Sequence, residues 1–288
     1  MRLIVATTLL LLSLPAVAIE VVASIRPLAL IADAVLAGHG QAQQLVPDGA
    51  SGHEYALKPS DRARLASASL VLWVGPAHEH FLVAAVKGRP QLVAQSLPGM
   101  TLLPARRLAD AKPVPGSLDP HLWLEPDNAA TIARALAAAL ATRDPASAEI
   151  YHRNAEAFAS RLAARKAALQ QRFVPLKAIP LIAYHDAYHY LDAALGLTFR
   201  GSLTHEPEHK PGAKHVLAMA KRVQAEKIAC LLMEPGADAA LARRVFGAQP
   251  YRAVAIDELF TGVARGADGY EAGLAAMADG MAQCLGAL

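Results

Sequence analysis

Short apolar runs alternate with alanine-rich stretches of helical spacing along most of this chain. Residues 21–25, 44–46, 70–74, 179–183, 228–233 and 253–256 form such runs, bounded by polar residues, Pro or Gly. That is the pattern of strands buried on both faces. Helix starts fall between them, with Ser60 ahead of Asp61-Arg62-Ala63-Arg64-Leu65 and Asp127 ahead of residues 128–140. The alternation predicts βα units around mainly parallel sheets, an α/β fold.

One segment breaks the rhythm. From Asp144 to about Phe173 there is no strand pattern and no internal Pro or Gly after Pro145. Ile150, Ala157, Phe158, Leu162 and Leu169 recur at near-helical spacing, with charged residues between them. The spacing predicts one helix of about 28 residues, roughly 42 Å long. It divides the chain into an αβ lobe at 19–143, a connecting helix at 144–176 and a second αβ lobe at 177–288. A continuous helix resists bending, so motion is expected in loops rather than between lobes. Residues 102–117 read as a Pro-containing loop.

Residues 1–18 are expected to be absent from the mature protein. Arg2, an apolar stretch to Leu14 and Ala16-Val17-Ala18 have the order of a cleaved signal peptide, and the stretch is too short to span a bilayer. Export to the periplasm follows. Removing Arg2 leaves 27 basic residues (28 − 1) against 25 acidic ones, a balance that favours neither nucleic acid nor an anionic membrane. Roughly 270 mature residues are more than one small core usually serves, which agrees with two lobes. The two cysteines, Cys230 and Cys284, favour a disulfide in an oxidising compartment, although spacing alone does not pair them.

Eleven histidines are present, and the useful ones should lie beyond the carboxyl ends of strands. His53 lies in the loop after residues 44–46, His121 in Asp119-Pro120-His121-Leu122-Trp123, and His185 directly after the 179–183 run. Asp257 holds the matching place after 253–256. Three imidazoles and a carboxylate suit four-coordinate Zn2+. Glu54 and Asp186, beside two of these histidines, are expected to hold them by hydrogen bonds from behind. The same set with a bound water would serve a zinc-dependent hydrolase, with Glu54 or Asp186 as base.

Asp48-Gly49-Ala50-Ser51-x-His53-x-Tyr55-x-Leu57-x-Pro59-Ser60-Asp61, followed by Val74-Gly75-Pro76, resembles the metal-binding receptors of ABC metal importers, cluster A-I or cluster 9. Asp119-x-His121-Leu122-Trp123-Leu124, Tyr184-His185-Asp186-Ala187-Tyr188, Pro211-Gly212-Ala213 and Glu234-Pro235 continue the likeness across nearly the whole mature chain, most closely to the zinc-specific branch. The resemblance implies two αβ lobes joined by a long helix, with the metal in the cleft between them. It places ligands at His53, His121 and His185, a carboxylate ligand at Asp257 with water as its rival, and Glu234 beside the site. The manganese branch carries Glu where this chain has His185, so zinc is expected and a manganese or iron receptor is the alternative. It also implies a Cys230–Cys284 disulfide and a monomeric receptor. Its partners would be a membrane permease with its cytoplasmic ATPase and a periplasmic zinc donor. Two departures stand out: residues 102–117 contain no His, and Gly52 stands where some relatives place Glu.

His205-Glu206-Pro207-Glu208-His209 spells the HExxH pattern of zinc proteases, but Pro207 and Pro211 exclude the helix that pattern requires. His205 and His209 remain candidates for a second, weaker metal-collecting loop. His78-Glu79-His80 reads as a solvated loop at a strand end. His39, His152, His189 and His215 have no partner visible in the sequence.

Overall fold

The computed structural model describes residues 19–206 and 209–286. The expected signal peptide lies outside the described residues. Two parallel four-stranded sheets form the framework. The first contains β1 (Val21–Ala23), β2 (Gln43–Gln44), β3 (Leu70–Trp73) and β4 (Gln91–Val93) in the order β2-β1-β3-β4. The second contains β5 (Pro180–His185), β6 (Thr198–Thr204), β7 (Cys230–Met233) and β8 (Arg252–Ala255) in the order β6-β5-β7-β8. Each sheet follows its own strands in the order second, first, third, fourth. Two α/β lobes therefore share one topology, a duplication without visible repetition in the sequence.

All six strands expected from apolar runs are present, with ends displaced by a few residues. β4 and β6 were not expected. β4 is three residues long and begins with Gln91. β6 contains Arg200 and Gly201, which look like a strand break, yet Gly201 is what lets the strand form where it does. Its φ is +137°, and a Cβ there would stand 2.3 Å from the Leu108 carbonyl oxygen. Ser202 N donates to that same oxygen at 3.0 Å.

The helices are α1 (Arg26–Leu36), α2 (Pro59–Ser67), α3 (Pro126–Arg143), α4 (Ala148–Phe173), α5 (His189–Leu195), α6 (Ala213–Ala225), α7 (Ala239–Phe246) and α8 (Gly269–Leu285). α3 is capped by Glu125, which accepts from Asp127 N at 3.3 Å, and not by Asp127 itself. α4 is the connecting helix, with 26 residues and thus about 39 Å. Its buried stripe contains Tyr151, Ala155, Phe158, Ala159, Leu162, Leu169 and Phe173, whereas Ala157 is exposed. That stripe lies against α1, α3, α5 and α8, so α4 is packed into the body along its length.

Contacts between the lobes are numerous and buried. Residues 102–117 form a clasp in which Arg106, stacked 3.7 Å above the Phe199 ring, bonds Asp186 and Asp192. Arg265 returns the favour with a fork onto Asp33. Tyr190 hydroxyl accepts from Leu103 N at 3.0 Å and donates to Asp119 O at 2.9 Å, and Trp123 Nε1 donates to Glu258 O at 2.9 Å. α8 packs against α1 and α4 as well as β7 and β8. Cys230 of β7 and Cys284 of α8 are disulfide-bonded, with Cα atoms 5.2 Å apart.

Two outcomes follow from this framework. Replacing both cysteines with serine should cost up to about 4 kcal/mol of stability for the roughly 55-residue loop, read as a lowered denaturant midpoint, with free thiols absent from the oxidised wild type. Metal uptake should leave the scattering radius of gyration, expected near 18 Å, unchanged to within about 1 Å. A change of several ångströms would mean that the helix bends.

Candidate metal site

In each sheet the strand order reverses between the first and third strands, the place where open α/β sheets bind ligands beyond their carboxyl ends. His185 is the last residue of β5, and Glu234 follows β7, the neighbouring strand across that switch point. In the first sheet the matching place is occupied by the turn after β3, which contains His78 and Glu79. His121 precedes the short 3-10 turn Leu122–Leu124, and His53 lies in the irregular stretch between β2 and α2.

Four imidazoles meet there. His53 Nε2 and His121 Nε2 are 3.3 Å apart. Ring centroids lie 5.3 Å apart for His53–His121, 5.0 Å for His121–His185 and 5.8 Å for His53–His185. His78 is 4.3 Å from His53 by the same measure and 6.0 Å from His121. Tetrahedral zinc with bonds of about 2.0–2.1 Å separates its donor atoms by roughly 3.3–3.4 Å and its imidazole centroids by roughly 5 Å. His53 and His121 fit the donor spacing, and the His121–His185 centroid distance matches the second measure. His78, His121 and His185 are buried, and His53 is half-buried.

Carboxylates fix the tautomers. His121 Nδ1 lies 2.9 Å from Asp119 Oδ1, and His185 Nδ1 lies 3.2 Å from Glu234 Oε1. An ionised carboxylate only accepts, so each Nδ1 carries the proton and each Nε2 turns its lone pair into the site. Burial pushes His53 and His121 below the ordinary imidazole value, and neighbouring imidazoles add to it. Burial also acts on His185, but the Glu234 hydrogen bond and the charges of Glu234, Glu258 and Asp186 outweigh it and raise that value. Asp119 is held well below the carboxylate range, because His121 and His189 outweigh the effect of its burial. Burial and the charge of Glu234 push Glu258 up to about 8.

The other expected residues lie in varied places. Glu234 touches His185, as expected, and lines a cleft of about 1130 Å³ bordered by residues 49–51, 209–213, 234–238 and 257–261. Asp257 borders the same cleft, with its carboxylate accepting from Leu259 N at 2.9 Å and Thr261 N at 2.5 Å. Asp186 does not back a histidine, because the Arg106 guanidinium takes both its oxygens. Glu54 is exposed and instead lies 3.7 Å from His209, within a surface trio with Glu206. His205 is exposed outside that trio.

Sequence reasoning missed His78, Asp119 and Glu258. Asp119 had a readable signal, the Asp-x-His spacing that lets one carboxylate reach its neighbour's ring. His78 had none: only the turn of the chain after β3 buries it.

The family model described as zinc-uptake complex component A, periplasmic (ZnuA), matches residues 21–284. The chain belongs to the ZnuA family. The high-affinity zinc uptake system protein ZnuA of Yersinia pestis is 31% identical over 288 residues, covering 92% of this chain and 91% of that protein. A crystal structure of a ZnuA superposes with a TM-score of 0.79 at 22% identity, covering 93% of this chain and 99% of the other. The FpvC protein of Pseudomonas aeruginosa, solved with Mn2+, shares the fold with a TM-score of 0.76 at 21% identity, covering 93% and 98%.

For a ZnuA-family site built this way, protonation should be uneven. His53 and His121 are held below the ordinary imidazole value, so near pH 6 metal binding there should release fewer protons than three ordinary imidazoles would. The lowered values also mean that the unfolded chain takes up more protons below about pH 6.5. Metal-free protein should therefore lose stability as pH falls through that range. His185, with its raised value, contributes oppositely: its stabilisation is present at low pH and is lost as pH rises through its folded value. Calorimetry in buffers of different ionisation enthalpy counts the protons, and thermal melts with chelator follow the stability. Release of three protons would contradict the assignment.

Proposed function

We propose that this chain is exported behind residues 1–18 and captures Zn2+ through His53, His121 and His185. It would then deliver the ion to the membrane permease of an ABC importer driven by a cytoplasmic ATPase. The observation that carries this reading is the convergence of imidazoles, His53 and His121 at the donor spacing of tetrahedral zinc, with the outer nitrogens of His121 and His185 held by carboxylates. Such a donor set favours zinc, whereas manganese prefers oxygen donors. The manganese reading draws on the fold shared with FpvC, but here the strand-end position carries the imidazole of His185.

A hydrolase would need a base beside the metal. Glu54 faces His209 at the surface and Asp186 is bound to Arg106, so neither of the two expected bases is free to serve. A receptor needs none.

Release is best served by the segment with the fewest ties. The His121 loop is clamped through Trp123 and Asp119, and His185 ends a central strand. His53 stands in an irregular loop whose local support is the Ser51 hydroxyl, accepting from His53 N and Glu54 N at 3.2 Å each. Withdrawing His53 would leave zinc with an incomplete shell that water can enter. The exposed trio of Glu54, Glu206 and His209 at the rim serves as a weaker collecting point, where a periplasmic donor could hand over the ion to the monomeric receptor.

Metal-free protein offered zinc and manganese together should appear in native mass spectrometry with one zinc ion in the buried site. Replacing His185 with Glu should narrow the preference. Equal uptake of both ions by the wild type would sink the zinc reading.

A further inference from the structure

We infer that His78 is a fourth protein ligand, so that zinc is held by His53, His78, His121 and His185 in a shell of nitrogen alone. The inference deepens the receptor reading above and rests on it.

His53, His78 and His121 each offer a ligand atom, and these atoms all lie within 4.8 Å of one another. His185 approaches His121 and His53 from the other lobe. His78 is 3% exposed, and its Nδ1 has no hydrogen-bond partner. That nitrogen faces Glu79 Oε1 at 3.6 Å, which repeats the Asp119–His121 and Glu234–His185 arrangement in a looser form. The equivalent nitrogen, Nε2, is left for the site. Glu79 in turn is immobile: it accepts from Ser24 Oγ, from Gly75 N at 2.9 Å and from Val74 N at 3.3 Å. The turn is closed by His78 N donating to Gly75 O at 3.0 Å, and the Trp123 ring stands edge-on to His78 at 5.0 Å. His78 is therefore presented on a built turn and not on a mobile loop.

Gly52 explains why the ring fits. A Cβ at that position would stand 2.5 Å from His78 Cε1 and 3.1 Å from Nε2. The imidazole fills the space that any side chain beside His53 would need. Gly52 and His78 therefore act as one feature, exchanging a side chain before the first ligand for a ligand from the neighbouring turn.

The rival for the fourth position is Asp257, and both its oxygens already accept backbone N–H groups of its own loop. Four imidazoles leave no place for a bound water, which is why the site would store and release zinc without generating a hydroxide.

The test is X-ray absorption at the zinc edge on wild-type protein loaded with one equivalent, together with chelator competition on H78L and H185A. Four imidazoles in the wild type are expected, and three imidazoles plus an oxygen donor or water in H78L. The affinity of H78L should fall by more than about 100-fold, exceeding the loss typical of groups behind a ligand. A wild-type spectrum with three imidazoles and one oxygen overturns the inference, whether or not the variant folds. So does H78L with unchanged affinity and circular dichroism. In either case the receptor reading survives if H185A still loses its zinc. A wild type that holds no zinc, or an H185A variant that holds it as well as the wild type does, overturns the receptor reading and the inference together.

Discussion

The structure depends on keeping several imidazoles together in a dry place. Lone pairs 3.3 Å apart gain little from each other, and each ring has lost its water. The compensation comes from behind, where Asp119 and Glu234 accept the Nδ1 protons and set the ring planes. Those carboxylates are in turn buried, so the arrangement is worth its cost only as a unit. Removing the protein groups that orient a ring would disturb the site, though less than removing the ring.

The shared strand order of the two lobes gives this unit its location. Each sheet opens a crevice at its switch point, and the two crevices face one another. His185 and Glu234 come from adjacent strand ends of the second lobe, while the turn with His78 and Glu79 occupies the corresponding place in the first. His121 enters between them on a segment tied to both lobes by Trp123 and Tyr190. A single ion held by these residues would be bonded to both halves of the protein.

Cross-lobe ties explain why the long helix need not act alone as a strut. α4 is packed along its length, α8 spans the two lobes, and Arg106 and Arg265 place buried ion pairs across the junction. Opening the cleft by rigid rotation would expose these charges singly, which is costly. Movement is cheaper in the His53 loop, where few bonds are lost. The loops at His121 and Asp257 are each held by hydrogen bonds.

Apolar runs in the sequence placed six strands, and most clearly the central β1, β3, β5 and β7, because a strand buried on both faces must be apolar throughout. Periodicity located α4 for a similar reason, and strand ends pointed to His53, His121 and His185. Two of the four edge strands escaped, since β4 is three residues long and begins with Gln91 and β6 is interrupted by Arg200 and Gly201. Asp186 and Glu54 show the same limit: adjacency in sequence suggested support for their neighbouring histidines, yet consecutive residues on extended chain point opposite ways. Asp186 therefore meets Arg106 and Glu54 meets His209. His78 was legible as a histidine but not as part of the site. Its place depends on the absent side chain of Gly52, on a turn after β3 and on Trp123, three features far apart in sequence that only the packed fold brings within reach.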